Sequence, residues 1–218
     1  MKVLVLIFDF DGVIIPTKGL IGVALKYFKK YFNIQVTEEG IAKGVSSLSG
    51  GTFAEAYQKA LRLFVPGYDE ERDKEKAERC YQEINEERAA IYKGTEVFPE
   101  VVDVLQRLSK NFHLIISSGL ERTYIEEVLT KNGIINLFEA IYSVVEDGGK
   151  ERHIQMVRES YPGKKILIIG DATLEMQLGV PAIGMARNSS QEQPLRMAGA
   201  KAVINSLNGI LDLDLDSL

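Results

Sequence analysis

Two carboxylates stand two residues apart in the run Phe8-Asp9-Phe10-Asp11-Gly12-Val13, directly after six apolar residues at 3–8. Residues two apart on an extended segment project to the same side, so Asp9 and Asp11 can face one pocket. Gly12 allows a sharp turn that brings backbone N–H groups toward an anion. Three other places pair an apolar run with chemically able residues. Residues 112–116 lead into Ser117, Ser118 and Gly119, a set suited to donating hydrogen bonds to phosphate oxygens. Residues 165–169 end in Gly170-Asp171, with Glu175 four residues later, and Lys150 follows Gly148-Gly149 after residues 140–145. Each has a plain structural alternative when read singly: a polar turn ending a strand for Asp9 to Gly12, a helix N-cap for Ser117 and Ser118, a turn for Asp171, a solvated surface lysine for Lys150. Together they put carboxylates, hydroxyls and one ammonium at the same edge of one sheet, because ligands of parallel α/β sheets bind at the carboxyl ends of the strands.

Those residue types share a purpose in phosphoryl chemistry. Mg2+ is a hard cation that prefers oxygen ligands and retains waters, so Asp9, Asp171 and Glu175 are candidates to hold it with a phosphate oxygen. Phosphoryl transfer depends mainly on positioning and on neutralising charge, which a metal, Lys150 and backbone N–H groups would supply. A carboxylate can attack phosphorus and form an aspartyl phosphate. A second acid with a raised pKa, Asp11, could protonate the leaving oxygen and later deprotonate the attacking water.

Elements that would position these groups are legible in the pattern of the chain. Apolar, β-branched runs at 3–8, 112–116, 140–145, 165–169, 180–185 and 202–204 read as buried strands. Between them lie helical stripes, Val101, Val102, Leu105 and Leu108 in one, Tyr124, Ile125, Val128 and Leu129 in another. The alternation from about residue 96 onward predicts a doubly wound parallel sheet. Residues 18–92 break it with helical periodicity and no strand run, which predicts a helical insertion. Its last part, 66–92, carries nine acids against five bases, and Ala77, Tyr81, Ile84 and Ile91 mark its apolar face. Pro16 and Lys93-Gly94-Thr95 are the expected hinges, giving a core of 1–15 with 96–218 and an insertion of 16–95.

Composition narrows the class. The 218 residues are 45% hydrophobic and 26% charged, ordinary for a folded protein that buries a core, and a net charge of −5 offers no basic footprint for nucleic acid. The run at 3–8 is shorter than the roughly seven residues a secretory core needs, and no segment approaches the roughly twenty apolar residues that span a membrane. Cys80 is the only cysteine, so no intrachain disulfide or thiolate cluster forms and a cytoplasmic setting is expected.

The ordered set Asp9-Phe10-Asp11-Gly12-Val13, Ser117, Lys150, and Gly170-Asp171 with Glu175 resembles the haloacid dehalogenase-like hydrolase superfamily in all four of its motifs, across nearly the whole chain. The resemblance implies a Rossmann-like core with strand order 3-2-1-4-5, a helical cap inserted between the first strand and its following helix, and Mg2+ beneath that cap. It implies that Asp9 is nucleophile and metal ligand, Asp11 general acid/base and a backbone-carbonyl ligand, Asp171 a further ligand, and that Ser117 and Lys150 bind the phosphoryl group. The subgroup it resembles contains phosphoglycolate phosphatase and β-phosphoglucomutase. Lys43-Gly44-Val45-Ser46-Ser47 is similar to that subgroup's specificity loop, which makes Lys43 and Ser46 candidates to reach a small phosphorylated metabolite; a solvent-facing turn between two cap helices is the other reading. Glu175 stands where an aspartate is commoner, and Glu151 follows Lys150 where proline is common.

Rival readings are separable. An acid at Asp11 favours phosphate-ester over dehalogenase or phosphonatase chemistry, and residues 14–22 lack the linker histidine of the mutase branch. A non-catalytic phosphate-binding module would not need Asp9, Asp11 and Asp171 intact. A serine hydrolase would have to use Ser117 or Ser118 with His113 or His153, without the Gly-x-Ser-x-Gly elbow. Both histidines are expected to be structural or exposed, and they form no zinc spacing. The expected protein is a monomer or homodimer.

Overall fold

Leu4, Val5, Leu6, Ile7 and Phe8 alternate sides along a strand, yet all five are buried, so β1 (Leu4–Phe8) is covered on both faces, as a central strand of a parallel sheet must be. Each such side chain contributes about 2 kcal/mol by leaving water, which makes this short run the anchor of the core. The computed structural model describes residues 4–16, 20–34 and 52–218. Beside β1 lie β2 (His113–Ser118), β3 (Ala140–Ser143), β4 (Lys165–Gly170), β5 (Ala182–Met185) and β6 (Ala202–Ile204). All pair in parallel in the order β3-β2-β1-β4-β5-β6. The expected five-strand order is present, with β6 added beside β5.

Register explains why chemistry gathers at one edge. Phe8 stands opposite Ile116 of β2 and Ile169 of β4, so the next residues, Asp9, Ser117 and Gly170, stand at one level. The Asp9 N–H donates to the Ile169 carbonyl at 2.8 Å, carrying the ladder one residue past the strand. The chain winds outward from β1 through β2 to β3 and then crosses to β4 on β1's other side. The site therefore lies at the topological switch, where such sheets leave a crevice.

Several elements are shorter than their apolar runs, for local reasons. β5 begins at Ala182 because Pro181 has no N–H for the ladder. β3 stops at Ser143, whose hydroxyl accepts from Val145 N at 3.1 Å and starts a one-turn helix, α6 (Val144–Asp147). Between the strands run α4 (Val101–Leu108), α5 (Arg122–Lys131), α7 (Lys150–Ser160) and α8 (Ser189–Met197). The first buries Val101, Val104, Leu105 and Leu108, so Val104 takes the place expected for Val102. The second buries Ile125, Val128 and Leu129.

The chain divides into two compact units, Met1–Pro16 with Thr95–Leu218, and Thr17–Gly94. The described part of the second unit is α1 (Leu20–Phe32), α2 (Phe53–Phe64) and α3 (Lys74–Lys93). Thr52 opens α2 with a capping box: its hydroxyl accepts from Glu55 N at 3.2 Å, and its own N–H donates to the Glu55 carboxylate at 2.8 Å. The buried face of α3 is Ala77, Cys80, Ile84, Arg88 and Tyr92, so Cys80 and Arg88 stand where the sequence pattern pointed to Tyr81. Arg88 enters this apolar core by laying its guanidinium 3.6 Å from the centre of the Phe53 ring, a cation–π contact. No helix among the described residues is long and apolar enough to cross a membrane.

One arginine latches the loop after β1. Arg187, just past β5, donates from Nε to the Gly12 carbonyl at 3.1 Å and from Nη2 to the Val13 carbonyl at 2.9 Å. Its Nη1 donates to Glu100 Oε1 at 2.6 Å, and the guanidinium stacks 3.6 Å from the Phe98 ring centre. Burial alone would raise the Glu100 pKa, but Arg187 and backbone N–H groups, including that of Leu207, overcome it and hold the carboxyl below its usual value. A depressed carboxyl stabilises the fold above its unfolded pKa of about 4.3, and that contribution disappears as pH falls through the lower folded value. Arg187→Met should therefore lose about 2–3 kcal/mol near neutrality, somewhat less than a fully buried broken pair. Urea unfolding of both proteins from pH 7 to pH 3 should show the difference shrinking toward acid; a constant difference would leave the Glu100 pair out of the account.

Candidate active site

Lys150 is the first residue of α7, preceded by Gly149 at the N-cap and by Gly148 at φ 90, in the left-handed region that favours glycine. An ammonium at a helix N-terminus is disfavoured by about 0.3–1 kcal/mol. What holds it there is two carboxylates: Nζ donates to Asp9 Oδ1 at 2.8 Å and to Glu175 Oε1. Glu175 lies in a short 3-10 turn, Glu175–Gln177, and is buried. Its Oε2 accepts from Ala172 N at 3.1 Å and rests over Gly170, where a Cβ would come within 1.8 Å of that oxygen. Gly170 is thus required by space, because any side chain would displace the Glu175 carboxylate.

Asp171 completes an acidic trio, since one carboxylate oxygen each from Asp9, Asp171 and Glu175 lie within 4.8 Å of one another. Burial pushes Glu175's pKa up, the negative charge of Asp9 pushes the same way, and Lys150 opposes both. Burial would lower the Lys150 pKa, but Asp9 and Glu175 reverse the effect and raise it. The cluster thus holds Lys150 through two of its three acids, Asp9 and Glu175. Its donors are hard oxygens, the set that Mg2+ prefers.

Ser117 closes the group. It is buried at the end of β2, and its Oγ lies 2.8 Å from His153 Nδ1. A small cavity is lined by the polar Asp9, Ser117, Lys150 and Glu175 together with the apolar Ile7, Ile154, Ile168 and Leu178.

The other sequence candidates are placed differently. The Ser118 hydroxyl accepts from Leu120 N at 3.1 Å and so shapes the turn that contains Gly119. Gly12 adopts φ 75, and its N–H donates to the Ile15 carbonyl at 2.7 Å, so the turn itself accounts for this glycine and the N–H is not directed at an anion. Asp11 is half-buried in the same loop, bridged to Ile15. Lys43 and Ser46 lie outside the described residues. His153 is the residue that sequence reasoning missed: it is fully buried on α7, neither exposed nor remote. Its position three residues after Lys150 was a usable signal, because residues i and i+3 share a helix face. His113 is not in the cavity lining; its Nδ1 lies 2.8 Å from Glu139 Oε2.

Known proteins place this arrangement in context. Residues 6–184 match the family described as haloacid dehalogenase-like hydrolase. Human phosphoserine phosphatase is 24% identical over 209 residues, covering 85% of this chain and 83% of its own length. Among solved structures, a predicted phosphoglycolate phosphatase from Haemophilus somnus superposes with a TM-score of 0.71 at 17% identity, covering 95% of this chain and 96% of that one. A candidate HAD-hydrolase from Bacillus subtilis, bound to magnesium, gives 0.66 at 19% identity, covering 97% and 98%.

The packing of Glu175 over Gly170 can be tested without assuming any reaction. Gly170→Ala should destabilise the protein by about 1–3 kcal/mol, the usual range for overpacking a filled core, and Glu175→Ala in the same chain should recover a large part of that loss. A double-mutant cycle of urea unfolding measures the coupling; additive losses would mean that the two residues do not clash.

Proposed function

Because the chain belongs to the haloacid dehalogenase-like hydrolase family, we propose that it is a magnesium-dependent phosphatase that hydrolyses a small phosphate monoester through a phosphoryl group carried on Asp9. The observation that carries this reading is the Asp9 carboxylate held 2.8 Å from Lys150 in the lining of a cavity that Ser117 shares. In the proposed reaction an Asp9 oxygen attacks phosphorus and the bond to the leaving alkoxide breaks, with Asp11 giving that oxygen its proton. Water then attacks the phosphoryl phosphorus, Asp11 takes a proton from it, and the Asp9 carboxylate is regenerated with release of inorganic phosphate.

Lys150 balances charge on the phosphoryl oxygens throughout, as phosphoryl transfer requires, and the Ser117 hydroxyl donates to one of them. Ser118 and Gly119 keep the backbone turn that presents Ser117. Asp9, Asp171, Glu175 and the Asp11 backbone carbonyl are the proposed holders of Mg2+, which when bound would supply further charge neutralisation. The closeness of three carboxylates supports that assignment.

The helical unit between the two core segments is the proposed cap, with Lys43 and Ser46 as its substrate-facing residues. A cap of this kind excludes bulk water and large substrates. Phosphoserine and phosphoglycolate, which appear in the names of similar proteins, and sugar phosphates make up the proposed substrate class. A phosphomutase would use the same phosphoaspartate but return isomerised sugar phosphate in place of free phosphate.

Phosphate release from p-nitrophenyl phosphate tests the reading. Wild type should be active with Mg2+, lose activity to a chelator and regain it when Mg2+ is restored, while Asp9→Asn should be folded and inactive. Equal activity in wild type and Asp9→Asn would contradict the proposal. In single-turnover release of the leaving group, Asp11→Asn should slow alkyl phosphates by on the order of 10²–10⁴ and p-nitrophenyl phosphate, which needs no proton on leaving, by much less. Equal losses on both would remove Asp11 from the proton-transfer role.

A further inference from the structure

We infer that His153 is a positioning residue for phosphoryl binding: its Nδ1–H donates to Ser117 Oγ and thereby turns the serine's own proton toward the phosphoryl oxygens. The inference rests on the phosphatase reading and adds a residue to it. Ser117 has one proton and two acceptor lone pairs on a hydroxyl that rotates to suit its partners. Beside an anionic phosphoryl group only the donating orientation attracts; if the proton pointed at His153, lone pairs would face the phosphoryl oxygens instead.

The imidazole decides between these orientations. Its Nδ1 lies 2.8 Å from Ser117 Oγ, and its Nε2 is buried with no hydrogen-bond partner among the described residues. A neutral ring carries a proton on one nitrogen only. Placing it on Nε2 would bury an unpartnered donor, whereas placing it on Nδ1 satisfies the donor and leaves an unpartnered acceptor, the less uncommon of the two omissions. Burial favours the neutral ring and Lys150 reinforces it; the Ser143 and Gly148 carbonyls and Asp147 pull the other way, but none meets Nε2 in hydrogen-bond geometry. The ring is further fixed by stacking on Tyr142, at a centroid distance of 5.4 Å and an interplanar angle of 30°.

The same geometry argues against a histidine-activated serine nucleophile. That chemistry needs Nδ1 bare to accept the serine proton and a group orienting the other nitrogen, and Nε2 has no such partner among the described residues. One helix instead delivers two complementary groups a turn apart: Lys150 supplies charge beside Asp9, and His153 orients the hydroxyl across from it.

The test uses p-nitrophenyl phosphate as substrate and inorganic phosphate as inhibitor. His153→Leu should raise KM and the phosphate inhibition constant about tenfold, the loss of roughly one oriented hydrogen bond, with a smaller change in kcat. His153→Asn, whose amide can donate from near the place of Nδ1, should recover most of the loss, and His153→Leu should have no further effect in a Ser117→Ala background. The 15N spectrum of wild type should show His153 protonated at Nδ1, a readout independent of whether the variants fold. A bare Nδ1, or unchanged KM and inhibition in His153→Leu while Asp9→Asn is inactive, overturns this inference and leaves the phosphatase reading intact. Wild type that releases no phosphate overturns that reading, and this inference with it.

Discussion

A single ammonium, that of Lys150, sits largely buried between Asp9 and Glu175 at the start of a helix that repels it. Each ion pair contributes several kcal/mol at an effective dielectric of about 20, and removing the ions from water costs a similar amount apiece. Attraction and desolvation nearly cancel, so stability alone does not explain the cluster. Its consequence is electrostatic: carboxylate oxygens of Asp9, Asp171 and Glu175 gather within 4.8 Å of one another, and a fixed positive charge lies beside Asp9.

Other parts of the core serve that arrangement. Parallel register levels Asp9 with Ser117 and Gly170, and the bare backbone of Gly170 leaves room for Glu175 to lie back over the sheet. Arg187 holds the Gly12 and Val13 carbonyls from the far end of β5, so the loop carrying Asp11 is anchored at a second point. The phosphatase account thus depends on tertiary contacts between segments separated by up to 175 residues in the chain.

The strands and most of the site were legible because buried parallel strands write themselves as continuous apolar runs, and their chemistry comes at the ends. What the pattern did not carry was contact between elements. Arg88 carries no apolar signal within an acid-rich helix, yet it packs on Phe53 of a different helix. His153 looked incidental because its partner, Ser117, is 36 residues away in sequence. Periodicity records which face of a helix is turned inward but not which side chain from elsewhere meets it, and polar residues on an inward face are misread for that reason. Gly12 was read as an anion cradle, whereas its N–H closes a local turn; a glycine in a sequence signals a tight backbone without telling which partner the N–H finds.

The most direct measurement is the site of phosphoryl attachment during turnover. Wild-type protein is mixed with p-nitrophenyl phosphate and Mg2+, quenched in acid at steady state, digested at low pH and examined by mass spectrometry. The account predicts an added phosphoryl group on Asp9. A phosphoryl group on Ser117, or active turnover with no phosphorylated peptide at any time after mixing, would contradict it.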